Sequence, residues 1–140
     1  MPIDLTPLRS SLNALTESLD FYESRLEQGN MSVGEHSSLR AGAIKQFEIA
    51  YELSWKMMQR WLNTNVGPDA ADPLTRHGLF RLSCEKRLIS DVAAWIGHNK
   101  ARNQTAHIYD EMIAIAVYEG ISAFIEDARE LLGSLEVRND

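Results

Sequence analysis

Arg102, His107 and Tyr109 bring a permanent cation, an acid/base that titrates near neutral pH and a phenol into one short segment, Arg102-Asn103-Gln104-Thr105-Ala106-His107-Ile108-Tyr109. These are the side chains that cutting RNA without a metal requires. A base must take the proton from a ribose 2′-OH, and a positive donor must hold the charge that builds on the phosphate. Imidazole accepts that proton and returns it to the leaving 5′-oxygen; guanidinium stays charged and offers paired donors matched to phosphate. The product of such a cut carries a 2′,3′-cyclic phosphate. Asn103 either orients the arginine or binds a phosphate oxygen, or else caps backbone at a helix end. Tyr109 can also be a core aromatic with its hydroxyl tied to a neighbour, the more frequent fate of a tyrosine.

The spacing constrains the backbone. Residues five apart differ by about 140° around a regular helix, so Arg102 and His107 share a face only if the helix ends or distorts near His107. Asp110 reads as the N-cap of the following helix, which puts His107 to Tyr109 in the intervening turn. There a histidine can point across a cleft. His98, one turn before Arg102, and Lys100 are possible lining residues of the same cleft, although His98 reads as readily as a solvated histidine. Lys86, Arg87, His98, Lys100 and Arg102 mark the only part of the chain where cations clearly outnumber acids, and the formal charge of the whole is −6. Broad nucleic-acid affinity rests on Lys and Arg neutralising phosphates, so any RNA site here must be local.

The elements that would position these groups are helices. Apolar residues recur at three and four residues rather than alternating, and no stretch reads as a strand. Leu8, Leu12, Leu15, Leu19, Tyr22 and Leu26 stripe a first helix behind Thr6 as cap and Pro7, stopped by Gly29-Asn30. A second, long and aromatic, is expected behind Ser37 or Ser38, carrying Ile44, Phe47, Tyr51, Trp55, Met58 and Leu62. The run from Asn65 to Pro73 breaks it, and Asp72-Pro73 opens a short third helix through Lys86. A fourth runs from about Asp91 into the motif. A fifth begins behind Asp110 with the stripe Ile113, Val117, Ile121, Phe124, Ala128, Leu131 and Leu135.

The expected fold is therefore all-α, an antiparallel four-helix bundle with a short additional helix, in a single domain over residues 1–140. A 44% hydrophobic share supports one core of that size. The four-three rhythm of the first and last helices also suits a seam between two subunits, which points to a homodimer, while the same stripes can serve one chain's core. No apolar run is long enough for a membrane span, and the polar opening lacks the character of a signal peptide, so a cytoplasmic location is expected. The single cysteine, Cys84, fits a reducing compartment and reads as structural.

Other titratable residues read more plainly. Glu48 and Glu52 lie one turn apart beside Lys45 and Lys56, as acids on the wet side of a helix do, though a buried Glu48 bonding an arginine would belong to the cleft. His36 and His77 have no partner at metal-ligand spacing, and no metal or cofactor is assigned. Trp55, Trp61 and Trp95 read as core or interface fillers, with base stacking the alternative. Glu119, Glu126, Glu130 and Glu136 mark the solvent side of the last helix.

The pattern Arg-x-x-x-x-His-x-Tyr with Asn after the Arg resembles the signature of the HEPN-domain ribonuclease toxins. Gln46-Phe47-Glu48, Tyr51-Glu52 and Trp55-Lys56 resemble the second helix of its nucleotidyltransferase substrate-binding-protein branch, and the likeness in helical order covers most of the chain. The resemblance implies a toxin paired with a minimal nucleotidyltransferase antitoxin. Arg102 and His107 would be the ribonuclease pair, Asn103 their support, and a dimer would form a composite cleft. Tyr109 matches the position at which the partner transfers AMP from ATP to silence the toxin. An older reading of the branch likens it to the helical domain of kanamycin nucleotidyltransferase, and so to a substrate- or nucleotide-binding subunit with no activity of its own. A purely structural reading, a helical dimerisation module, would pack the motif away from solvent.

Overall fold

The structure is a computed structural model that describes residues 2–139. Its described residues form helices α1 (Thr6–Gln28), α2 (Val33–Asn65), α3 (Arg76–Glu85), α4 (Val92–Gln104), α5 (Glu111–Glu119) and α6 (Ile121–Val137), with a 3-10 turn at Thr105–His107 between α4 and α5. The all-α bundle with a short extra helix is as expected, α3 being the extra piece. α1 and α2 make the most extensive helix pair, and α6 packs on α1, α2 and α4.

Local chemistry explains the boundaries, including those the sequence misplaced. α1 starts at Thr6, and it is the Asp4 carboxylate that accepts from the Thr6 N–H at 3.0 Å, so Thr6 is the first helical residue and not the cap. Gly29 and Asn30 both adopt positive φ, +76° and +60°, and end the helix. α2 begins five residues earlier than a Ser37 cap allows, because Ser32 and Glu35 form a reciprocal capping box: the Glu35 N–H donates to Ser32 Oγ and the Ser32 N–H to Glu35 Oε1. α3 begins behind Thr75 and not at Asp72-Pro73, since the Thr75 hydroxyl accepts from the Gly78 N–H. Asp110 caps α5 as read from the sequence, and Asp91, read as the approximate start of α4, is its N-cap.

The expected fifth helix is two. At Gly120 the N–H turns back to the Val117 carbonyl at 3.2 Å, a tightened last turn that separates α5 from α6. The apolar stripe survives the break: Val117, Ile121, Phe124, Ala128, Leu131 and Leu135 are all buried. So are Leu8, Leu12, Leu15 and Leu19 of α1. Both rhythmic stripes thus serve one chain's core, apart from Leu26 at the end of α1, which is 41% exposed. Trp95, Phe124, Phe47 and Tyr51 make the aromatic centre, with Phe47 and Phe124 edge to face at 5.0 Å. Near the ends, Asn139 exchanges two hydrogen bonds with the backbone of Ile3, which closes α6 against the start of α1.

Candidate ribonuclease site

Arg102 sits in the last turn of α4 and is fixed from two sides. Its Nε donates to Glu52 Oε1 on α2 at 3.1 Å, and its Nη1 donates to Thr105 Oγ1 at 3.1 Å. The Thr105 hydroxyl in turn donates to the Arg102 carbonyl at 2.7 Å, so one small buried side chain both closes the helix and holds the guanidinium. Glu52 is held as well: its second oxygen accepts from Trp55 Nε1 at 2.9 Å. The Arg76 guanidinium lies 3.4 Å from the centre of the Trp55 ring. One turn back, the Tyr51 hydroxyl donates to Asn99 Oδ1 at 2.6 Å and locks α2 to α4 a second time. Burial pushes the Tyr51 phenol far above its ordinary range, so it acts as a neutral donor.

The predicted distortion lies where the motif needs it. Helix α4 ends at Gln104 and the chain tightens into the 3-10 turn that carries His107, whose carbonyl accepts from the Asp110 N–H at 3.0 Å. His107 and Tyr109 are both exposed, Tyr109 to 84%, and the His107 Nδ1 lies 3.3 Å from the Tyr109 hydroxyl. That contact leaves Nε2 of the imidazole for other partners. Among the described residues no hydrogen bond joins Arg102 directly to His107; the 3-10 turn follows Arg102 and carries His107. Both keep solvent access, the Arg102 side chain at 31%, so within one chain the motif is not packed away as the dimerisation-module reading requires.

The other sequence candidates divide. Asn103 is exposed and makes no hydrogen bond among the described residues; Thr105 does the end-capping that Asn103 was one candidate for. Lys100 is exposed and unpaired among the described residues. His98 is buried, not solvated: its Nε2 meets Asp127 Oδ2 of α6 at 2.6 Å and its ring packs edge-on against Trp95 and Phe124. It is committed to the core side of α4 and does not line the cleft as an exposed group. Glu48 pairs with Lys45 at 3.6 Å, and the arginine-binding carboxylate is Glu52, one turn on. Sequence reasoning missed Glu52 and Thr105. Glu52 follows buried Tyr51 just as Glu48 follows buried Phe47, so the sequence carried no signal that singled it out.

The nucleotidyltransferase substrate-binding-protein-like family matches residues 3–137. The chain belongs to that family, the HEPN branch its motif resembles. Among this member's relatives, a protein of Haemophilus influenzae named as a probable ribonuclease HepT is 38% identical over 103 residues, 73% of this chain and 70% of the relative. A solved Haemophilus influenzae structure, described as having the fold of a substrate-binding domain of a nucleotidyltransferase, superposes with a TM-score of 0.89 at 30% identity, covering 95% of this chain and 99% of that one. A Thermus thermophilus structure shares the fold, with a TM-score of 0.61 at 24% identity over 86% of this chain and 98% of the other. No helix among the described residues is long and apolar enough to cross a membrane.

Proposed function

We propose that this chain is a metal-independent endoribonuclease, the toxin of a pair whose antitoxin is a minimal nucleotidyltransferase, and that it works as a homodimer. The observation that supports the reading is the doubly tethered Arg102 at the end of α4, with an exposed His107 on the 3-10 turn that follows. An arginine held at Nε and Nη1 has its fork pre-aimed before substrate arrives, which is how preorganised charge stabilises a transition state without a reorganisation cost. The His107 imidazole takes the 2′-OH proton as the 2′-oxygen attacks phosphorus. The P–O5′ bond breaks, and the imidazolium returns the proton to the 5′-oxygen. Arg102 holds the phosphoryl oxygens throughout, and Asn103, exposed beside it, is free to turn onto the phosphate or the arginine.

Tyr109 is the control point in this reading. Its phenol is solvent-exposed and next to the catalytic imidazole. The partner would join its oxygen to the α-phosphorus of ATP, release pyrophosphate and leave an anionic phosphodiester against the cation that RNA needs. The test is expression with and without the neighbouring transferase. Arg102→Ala and His107→Ala should each abolish RNA cleavage and growth inhibition with the helical spectrum intact; cleavage undiminished in either variant rejects the assignment. Intact mass should rise by AMP on Tyr109 only when an active transferase is present.

The structural relative described as a nucleotidyltransferase substrate-binding domain favours a second reading, a non-catalytic subunit that presents a ligand to the transferase. It predicts ligand binding with no RNA cut, and purified wild-type protein incubated with RNA separates the two.

A further inference from the structure

A groove of about 480 Å³ runs between the first third of α2 and the segment from Ile108 into α5. Ile44 and Ile108 give it apolar walls, Ser37 and Arg40 line it from α2, and Tyr109 and Glu111 line it from the other side. Its volume falls within the range of about 300–1,000 Å³ usual for small-ligand sites. Arg40 is the feature that calls for a ligand. Its side chain is only 13% exposed, it makes no hydrogen bond among the described residues, and its one carboxylate neighbour, Glu111 Oε1, stands at 4.0 Å on a side chain that is itself mostly in solvent. A guanidinium so far desolvated and so loosely paired gains strongly from an anion that can enter the groove.

We infer that this groove seats one unpaired nucleotide of the RNA strand, the one joined to the scissile phosphate, with Arg40 on its phosphate and Tyr109 against its base. The aliphatic walls suit a base, and an exposed phenol ring is a stacking platform that tolerates any base. A duplex base pair does not fit a groove of this size, so the strand must be single there. The placement next to the cut rests on the ribonuclease reading, because Tyr109 borders the groove and touches His107. The seat itself does not. The same seat suits an adenylyl group carried on Tyr109, whose phosphate and base have the same chemistry.

The experiment is an NMR titration of the whole protein with 5′-AMP and with 5′-UMP. Saturable shifts are expected at Ile44, Ile108 and Ala114. Arg40→Gln should weaken the binding by about tenfold or more, Ala41→Leu should block the groove, and exposed Lys45→Gln should bind as wild type. With a short single-stranded RNA, Arg40→Gln should raise KM about tenfold while kcat stays within about twofold, as loss of uniform binding does. An unchanged RNA KM combined with lost shifts from the Tyr109-adenylylated form would assign the seat to the adenylyl group instead of the strand and overturn the RNA placement. Absence of saturable shifts at the three residues, or wild-type binding by both groove variants, overturns the seat. Saturable nucleotide binding by a wild-type protein that cuts no RNA retains the seat and sinks the ribonuclease reading.

Discussion

At the scale of single residues, the proposed site asks more of the Glu52 carboxylate in chemistry than in stability. It and Arg102 are about one-third exposed, and an ion pair in that setting contributes less than about 1 kcal/mol. Positioning is a steeper function, because a misplacement of about 1 Å can cost on the order of 100-fold in rate. Glu52→Gln should therefore lower RNA cleavage by about 10- to 100-fold with a thermal midpoint within a few degrees of wild type. Equal losses of rate and stability would show Glu52 to be a structural tie only. His98 is the opposite case. Its 2.6 Å contact with Asp127 lies against the aromatic core, and Asp127→Ala strands a buried imidazole nitrogen at a cost of about 1–3 kcal/mol. Chemical denaturation should show that loss, while the cleavage rate of the folded fraction should be unchanged.

The residues proposed for chemistry could be picked out together in the sequence because their spacing is short-range: Arg102, His107 and Tyr109 lie on one stretch of chain. Their partners were not. Glu52 is fifty residues away and meets Arg102 only because α2 packs on α4, and nothing in its local pattern distinguishes it from Glu48. His98 was misread for the same reason, since its burial depends on where Asp127 of α6 falls.

Helix existence and order followed from apolar rhythm, whereas the ends followed from competition among neighbouring caps. Around α2 two serines near the start of the apolar run compete with Ser32, and the Glu35 box decides it. Ser32→Ala should cost about 1 kcal/mol, which a denaturant midpoint can read, and Ser38→Ala should cost nothing measurable. The break between α5 and α6 was invisible because the stripe runs through it. Gly120 has φ −83° and ψ −9°, which any residue adopts, and an added Cβ would meet the Val117 carbonyl oxygen at an ordinary 3.6 Å. Gly120→Ala should thus raise stability by about 0.4–1 kcal/mol, by restricting the unfolded chain. A drop in midpoint would mean that the break itself is needed. Tyr118, on α5, carries a sealed hydroxyl with no partner among the described residues, and burial pushes its phenol up to about 12. Between pH 10 and that value the folded state keeps a proton that the unfolded chain releases, so stability falls as pH rises through this window. Tyr118→Phe should make that slope shallower, leaving the share of buried Tyr51, and leave stability at neutral pH equal or higher.

At the scale of the whole molecule, the core accounts for the stripes of α1 and α6, and the apolar surface left over is concentrated elsewhere. Met112 is 82% exposed on α5, close in sequence to Tyr109 and Ile115, and Phe21 of α1 is exposed next to Ser38 and Leu39 of α2. Only the first of these patches adjoins the motif. A homodimer built to bring two motifs together would use it, and Met112→Glu should yield a monomer in sedimentation while Phe21→Glu should not. The arrangement of the two sites can then be read by mixing inactive chains. If each site takes Arg102 from one chain and His107 from the other, a heterodimer of Arg102→Ala and His107→Ala chains contains one intact site. Random reassociation of equal amounts makes half the dimers heterodimers, so about a quarter of wild-type cleavage should return, as the geometry of a two-fold interface dictates. If each chain holds its own complete site, no mixture restores any activity. Arg102 in the last turn of α4 and His107 on the 3-10 turn stand five residues apart on one chain, so the mixing experiment decides whether one chain or two completes the site.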